Sequence, residues 1–223
     1  METEVKLAFK NKDDLYKLTV SDLFLNLFKG ETEPAPVLLE NTYLDTPDMK
    51  ITKRGGMIRV RHYNCADADR YEFTVKYGGG VSDGLHRRYE WNVTSCDNAF
   101  SIKRFIDETN GSGDPEDVLL DVFGNINDDD LIVLCSNTFC RTVYNLSYLN
   151  SKVEACFDSG IIKNSDGSRS DEICELELEL VSGEISELNA LAECIIEAAE
   201  CVPFDDTKYR RTLAVALDGH DEG

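Results

Sequence analysis

Polar and apolar residues alternate along much of this chain, and in a few longer stretches the apolar ones recur at helical spacing instead. Successive side chains of an extended strand point to opposite faces, so alternation marks half-buried strands. On that basis 2–9, 38–45, 56–63, 70–77, 86–93, 138–147, 152–158 and 173–181 read as strands. Turn chemistry falls at Thr46-Pro47-Asp48, Gly78-Gly79-Gly80, Ser82-Asp83-Gly84 and Ser165-Asp166-Gly167-Ser168, and strands joined by short turns pair antiparallel. Three segments read as helices. Residues 12–29 carry Leu15, Leu18, Leu23, Leu27 and Phe28 at near-helical spacing, with Asp13 and Asp14 at the start and Lys29 before Gly30 at the end, as the helix dipole favours. Residues 98–109 place Phe100, Phe105 and Ile106 on one side, and 184–201 form a broad stripe through Ile185, Leu188, Leu191 and Ile195. Segment 110–130, rich in Gly, Asp and Asn around Val-Leu-Leu, reads as a connector with room for a short helix.

Taken by parity, the strands share a sharper regularity. The opening METEVKLAF sets Glu2, Glu4 and Lys6 against Thr3, Val5 and Leu7. MIRVRHY sets Arg59 and Arg61 against Ile58 and Val60; YEFTVKY sets Glu72, Thr74 and Lys76 against Phe73 and Val75. RRYEWNV gives Arg88, Glu90 and Asn92 against Tyr89, Trp91 and Val93; VEACFD gives Glu154 and Asp158 against Val153 and Phe157; CELELEL gives Glu175, Glu177 and Glu179 against three leucines. A sheet with its ionic face in water would satisfy this pattern. So would a sheet closed on itself, ionic face inward, with amphipathic helices covering its apolar exterior. The number of strands and the three helices that need an apolar surface favour closure. The expected class is α+β: an eight-stranded antiparallel β-barrel with helices packed outside, forming a single domain over 1–217 and a flexible tail at 218–223.

Composition narrows the function. The 223 residues carry 43 acids against 23 bases, a net charge of −20, which argues against nucleic acid or an anionic membrane as partner. No stretch approaches the roughly 18 apolar residues of a membrane span and the N-terminus has no signal-like region, so the expected location is the cytoplasm. The eight cysteines (65, 96, 135, 140, 156, 174, 194 and 201) form no C-x-x-C pair and read as free thiols. His62, His86 and His220 lack ligand spacing and read as surface or internally satisfied residues.

The bases are not spread evenly. Middle strands carry Arg59, Arg61, Lys76 and Arg88, whereas the first and last carry Glu2, Glu4, Glu175 and Glu177. Two like charges about 4 Å apart at an effective dielectric of about 20 cost about 4 kcal/mol, so clustered carboxylates invite a cation. Oxygen donors without His or Cys suit Mg²⁺ or Mn²⁺. Arginines and lysines facing them suit phosphate oxygens, and the combination suits phosphoryl transfer.

These residues also carry a resemblance. METEVK resembles the N-terminal Glu-x-Glu-x-Lys signature of the CYTH proteins, the triphosphate tunnel metalloenzymes. The resemblance continues through NTYLDTPD (41–48), GGMIRVRH (55–62), YEFTVKYGG (71–79), GLHRRYEWNV (84–93), VEACFDSG (153–160), ICELELELVSG (173–183) and TKYRR (207–211). Within the family, GLHRRYEWNV and ICELELELVSG are most similar to bacterial inorganic triphosphatases, which hydrolyse tripolyphosphate to pyrophosphate and orthophosphate with Mg²⁺ or Mn²⁺ inside an eight-stranded tunnel. The resemblance implies that Glu2, Glu4, Glu175 and Glu177 hold metal, helped by Asp158 and Glu90. It implies that Lys6, Arg59, Arg61, Lys76, Arg88, Arg141, Lys208 and Arg211 bind the triphosphate, with Glu4, Lys6, Lys76 and Glu177 nearest the chemistry. A metal-activated water would attack a terminal phosphorus. Asp45 belongs to the NTYLDTPD motif, whether as a site residue or as part of an ordinary turn. Glu179 continues the inward parity but is expected at the tunnel mouth, outside the site. Lys10, Arg70 and Arg87 break the parity and read as surface charges.

Two departures stand out. Relatives of this kind often carry a second, helical CHAD domain, for which this chain ends too soon, and Val143 occupies a position where another base is expected. Thiamine triphosphatase and class IV adenylate cyclase share the tunnel. A binding module without turnover is the alternative outside that class, and the retained carboxylates argue against it.

Overall fold

The structure is a computed structural model and describes residues 1–28, 30, 34–64, 70–110 and 115–217. Lys29, Cys65, His220 and the expected tail at 218–223 lie outside the described residues. The chain begins with β1 (Glu2–Phe9), followed by α1 (Lys12–Lys17) and α2 (Asp22–Leu27). The single helix expected over 12–29 is thus divided, with a 3₁₀ turn at Leu18–Val20 between its parts. The cause is local: Thr19 and Val20 are β-branched, and Ser21 serves better as an N-cap, its hydroxyl accepting from Phe24 N at 3.2 Å.

Next come β2 (Val37–Asp45), the short α3 (Lys50–Lys53), β3 (Gly56–Asn64), β4 (Arg70–Ser82) and β5 (Leu85–Ser95). The Gly78-Gly79-Gly80 run does not turn the chain as expected. β4 runs through it with a register shift between Tyr77 and Gly80, and the hairpin turns at Asp83-Gly84. Gly79 has φ +97°, and a Cβ there would lie 2.1 Å from the Arg87 carbonyl oxygen, so this bulge requires glycine. Two helices follow, α4 (Ile102–Thr109), capped by Ser101, and α5 (Glu116–Phe123) within the expected connector. The chain closes with β6 (Ile132–Tyr148), β7 (Ser151–Lys163), β8 (Ser170–Ser182), α6 (Ile185–Ala198), the three-residue β9 (Cys201–Pro203) and α7 (Lys208–Leu217).

All strands join one antiparallel sheet in the order β5-β4-β3-β2-β6-β7-β8-β1-β9. β5 pairs in addition with β1, Glu2 lying opposite Arg88 and Val5 opposite Leu85. Along its other edge β1 pairs with β8, from Glu4 opposite Glu179 to Ala8 opposite Glu175. The apolar parity faces outward under the helices. Val5, Leu7, Leu176 and Leu178 pack with Leu15, Phe24, Leu188 and Leu191 from α1, α2 and α6. Ile58, Phe73, Val75 and Trp91 pack with Phe105, Leu119 and Val122 from α4 and α5. The ionic parity is left on the opposite face, gathered around one cavity. The described cysteines are free, and no helix among the described residues is long and apolar enough to cross a membrane.

Candidate functional site

The cavity encloses about 600 Å³ and is lined by the ionic face of the sheet, with Lys208 and Tyr209 of α7 contributing at one side. Its acids and bases are interleaved. Lys76 Nζ lies 2.9 Å from Glu2 Oε2 and 2.5 Å from Glu90 Oε2. Arg88 reaches Glu2 with Nε at 3.0 Å and Glu4 with Nη2 at 2.7 Å. Burial opposes the charge of Glu90, yet Lys76 and Arg59 help hold its carboxyl down to about 2.

A row of carboxylates crosses three strands beside these groups. Glu154 of β7 lies opposite Glu179 of β8, which lies opposite Glu4 of β1. Like charges directly opposite one another on adjacent strands repel. Burial, with Glu2, Glu90 and Glu4 nearby, pushes the Glu179 carboxyl up to about 7. Glu179, expected at the tunnel mouth, lines the cavity with the other acids. Parity carried this signal, since Glu179 shares the face of Glu177.

β3 and β6 bring further bases to the cavity. Arg59 Nη2 is 3.2 Å from Glu72 Oε1 and 2.8 Å from Thr74 Oγ1, and Arg61 Nη1 lies 3.8 Å from Glu72. Burial and the charges of Arg59 and Arg141 lower the pKa of Arg61. Val143 lines the cavity too, an apolar residue among bases.

The deep end is a buried ionic knot. Arg141 grips Asp158 at 2.7 Å through Nε and at 2.5 Å through Nη2, and reaches Glu177. Lys208 Nζ lies 2.8 Å from Asp158, 2.7 Å from Glu175 and 2.7 Å from Glu177. Lys6 Nζ is 3.3 Å from Glu177. Burial works against the charge of Glu177, but Lys208, Lys6 and Arg141 hold its carboxyl well below the usual range.

Three of the expected residues stand apart from the cavity. Asp158 and Glu175 are 0% and 1% exposed, locked behind the wall by Arg141, Lys208 and Arg211. Arg211 lies in a separate depression, with Nε 2.6 Å from Asp171 and its guanidinium also on Glu175 and the Glu172 carbonyl. The other expected residues, Glu2, Glu4, Lys6, Arg59, Arg61, Lys76, Arg88, Glu90, Arg141, Glu177 and Lys208, line one cavity. Asp45 is buried away from it, where its carboxylate accepts from the backbone N–H groups of Thr46, Ile51 and Thr52 at 2.6, 2.9 and 2.8 Å and so anchors α3. Lys10, Arg70 and Arg87 are exposed, Arg87 at the rim of the cavity.

Two features had no clear signal in the sequence. One is α7, whose first turn is capped by Thr207, with Oγ1 3.2 Å from Arg210 N. The other is His86, buried in the cavity wall with Nε2 3.1 Å from the Phe204 carbonyl oxygen, so that Nε2 carries the hydrogen. Burial and the Lys6 charge lower its pKa.

Among the described residues no acids, histidines or cysteines are gathered tightly enough to hold a metal as they stand. The acids are spent on Arg88, Lys76, Lys6 and Lys208 instead.

Comparison with known proteins bears on this arrangement. An inorganic triphosphatase of Haemophilus influenzae is 28% identical over 225 residues, covering 98% of this chain and 54% of that protein. The chain thus spans about half the length of this curated relative. Among solved structures, HpAC1 from Hippeastrum, described as an adenylyl cyclase candidate with a dominant triphosphatase activity, superposes with TM-score 0.67 at 15% identity, covering 97% of both chains. A Bacillus halodurans protein described as an adenylate cyclase candidate gives TM-score 0.53 at 20% identity, over 95% of this chain and 98% of that one. At such identities these two likenesses speak to the fold alone. The CYTH domain model matches residues 1–212, nearly the whole of the sheet and its helices, and the chain belongs to the CYTH family.

Proposed function

We propose that this protein hydrolyses inorganic tripolyphosphate to pyrophosphate and orthophosphate, with a divalent cation, Mg²⁺ or Mn²⁺, inside a tunnel closed by the β1–β5 pairing. The observation that carries the reading is one cavity lined by both carboxylates, Glu2, Glu4, Glu90 and Glu179, and bases, Lys76, Arg88, Arg59, Arg61 and Arg141. The resemblance to the Haemophilus triphosphatase supports the same chemistry.

The donor set fits a hard cation. Glu4 and Glu179, with Glu2 and Glu154 beside them, offer carboxylate oxygens across adjacent strands, and their mutual repulsion is what a divalent ion relieves. Such an ion, when bound, supplies charge stabilisation for phosphoryl oxygens and a lowered pKa for water.

The chain's own bases do the rest. In the resting protein Lys76 and Arg88 are paired with Glu2, Glu4 and Glu90. An incoming triphosphate offers these bases stronger oxygen acceptors, and their transfer to it frees the acids for the cation. Arg59, Arg61 and Arg141 take the phosphoryl groups, and burial strengthens each charged contact. They hold the chain in line for attack and stabilise the charge that builds on the departing pyrophosphate. Arg211 is left out of this set because its donors are already taken. The protein works in the cytoplasm on this reading, in keeping with the free thiols of its described cysteines.

The test is phosphate release from tripolyphosphate, thiamine triphosphate and ATP, each with Mg²⁺, Mn²⁺ or EDTA. Metal-dependent release from tripolyphosphate well above the other two is the expected result. Equal release from all three, or release unaffected by EDTA, would overturn the reading.

A further inference from the structure

A run of hydrogen bonds leaves Arg61 and ends on α7. Arg61 Nε donates to Asn41 Oδ1 at 2.8 Å, and Asn41 Nδ2 donates to Asn137 Oδ1 at 3.0 Å. Asn137 Nδ2 donates to Thr212 Oγ1 at 2.8 Å, and Thr212 Oγ1 donates to the Lys208 carbonyl oxygen at 2.6 Å. A branch runs from Asn137 Nδ2 to Tyr43 Oη at 3.2 Å. Asn41, Asn137 and Thr212 are all buried.

The direction of the run is fixed at both ends. A guanidinium can only donate and a carbonyl oxygen can only accept, so each amide between them has one permitted orientation. Every donor therefore points the same way, from β3 through β2 and β6 to α7, and each bond polarises the next. Such a chain has no slack: removing one N–H leaves a buried acceptor unpaired on one side and loosens the donor on the other.

Arg61 is where this matters. Arg59 spends Nη2 on Glu72 and Thr74, and Arg141 closes its fork on Asp158. Arg61 is held from behind through Nε, and its Nη1 meets an acid only at 3.8 Å. Its Nη edge is thus presented to the cavity with the least competition of the three.

We propose that Asn41 and Asn137 are positioning residues that hold the Nη edge of Arg61 toward a phosphoryl group of the substrate and tie that orientation to α7. The proposal rests on the reading of the cavity as a triphosphate site. Neither Asn touches substrate; both act through Arg61.

Steady-state kinetics on Mg²⁺-tripolyphosphate test it with Asn41→Leu, Arg61→Ala and the double variant. Asn41→Leu is expected to raise KM about tenfold with kcat changed less than about twofold, the loss of a charge-assisted hydrogen bond of about 1.4 kcal/mol. The double variant should be no worse than Arg61→Ala alone, because Asn41 has nothing left to position. KM effects that multiply in the double variant would overturn the proposal. Asn137→Asp, which keeps the shape but loses the N–H donors, should raise KM severalfold, and Thr212→Ser, which keeps the hydroxyl, should leave it unchanged. Should Asn41→Leu fail to fold, Asn137→Asp takes its place in the cycle. An unfolding cycle of Arg61→Ala with Thr212→Val separates this proposal from the functional reading. Without any hydrolysis by the wild type that reading fails, yet the relay still predicts that the midpoint shift of the double variant is smaller than the summed single shifts. Additive shifts would overturn the relay.

Discussion

Replacing Lys208 by Met removes the ammonium at the centre of the deep ionic knot and keeps much of the side chain's length. That ammonium lies 2.8 Å from Asp158, 2.7 Å from Glu175 and 2.7 Å from Glu177, and the residue is 8% exposed. Removing one partner of a buried ion pair costs about 3–5 kcal/mol, because the charge left behind remains desolvated. Here each acid keeps another base: Arg141 for Asp158 and Glu177, Arg211 for Glu175, and Lys6 for Glu177. The loss should therefore sit at the lower end, about 3 kcal/mol at pH 7, or a melting midpoint roughly 6–12 °C lower for a chain of this size. The pH dependence has a definite sign. Glu177 has its folded pKa lowered, so its contribution is present above the unfolded value of about 4.5 and is lost as pH falls below it. Lys208 has its folded pKa raised, so its contribution is complete below about 10.5 and disappears only at higher pH. The gap between wild type and Lys208→Met should be full between these limits and shrink as pH falls below about 4.5. Urea unfolding at pH 7 and at pH 4 measures it. A loss under about 1 kcal/mol at pH 7, or a wider gap at pH 4, would show that Lys208 does not hold the knot together.

Further predictions separate the roles of the ionic residues. Glu4→Gln should abolish turnover of tripolyphosphate with far-ultraviolet circular dichroism unchanged, since it removes one charge from the acidic row; wild-type turnover in that variant would exclude Glu4 from the metal site. Arg59→Ala removes a charged donor worth about 1.5–3 kcal/mol, so KM should rise roughly tenfold to a hundredfold; an unchanged KM would show that Arg59 does not reach the substrate. Asp45→Asn weakens the anchor of α3 without touching the cavity, so unfolding at lower urea with KM preserved is the expected pair of results. A changed KM with unchanged stability would return Asp45 to the site.

What could be read in the sequence was the face of each side chain. Parity alone put Glu2, Glu4, Arg59, Arg61, Lys76, Arg88 and Glu90 on one surface, and they line one cavity. Parity carries no information about depth. Asp158 and Glu175 share the inward face of β7 and β8 but lie behind Arg141 and Lys208, whereas Glu179, two residues beyond Glu177, reaches the cavity. Depth depends on strand register and on α7, which closes over that end. That helix leaves little mark in the sequence because its first turn, Lys-Tyr-Arg-Arg, hides its apolar face. The break at Ser21 and the bulge at Gly78-Gly79 leave as little mark, since each is settled by one hydrogen bond or one close backbone approach rather than by a repeating pattern.

On the proposed reading this cavity cleaves a linear triphosphate with water at one end. Phosphorus NMR of tripolyphosphate incubated with the protein and Mg²⁺ tests it most directly. The triphosphate signals should give way to pyrophosphate and orthophosphate in equal amounts, and EDTA should stop the change. Triphosphate signals that persist with Mg²⁺ and with Mn²⁺ would contradict it.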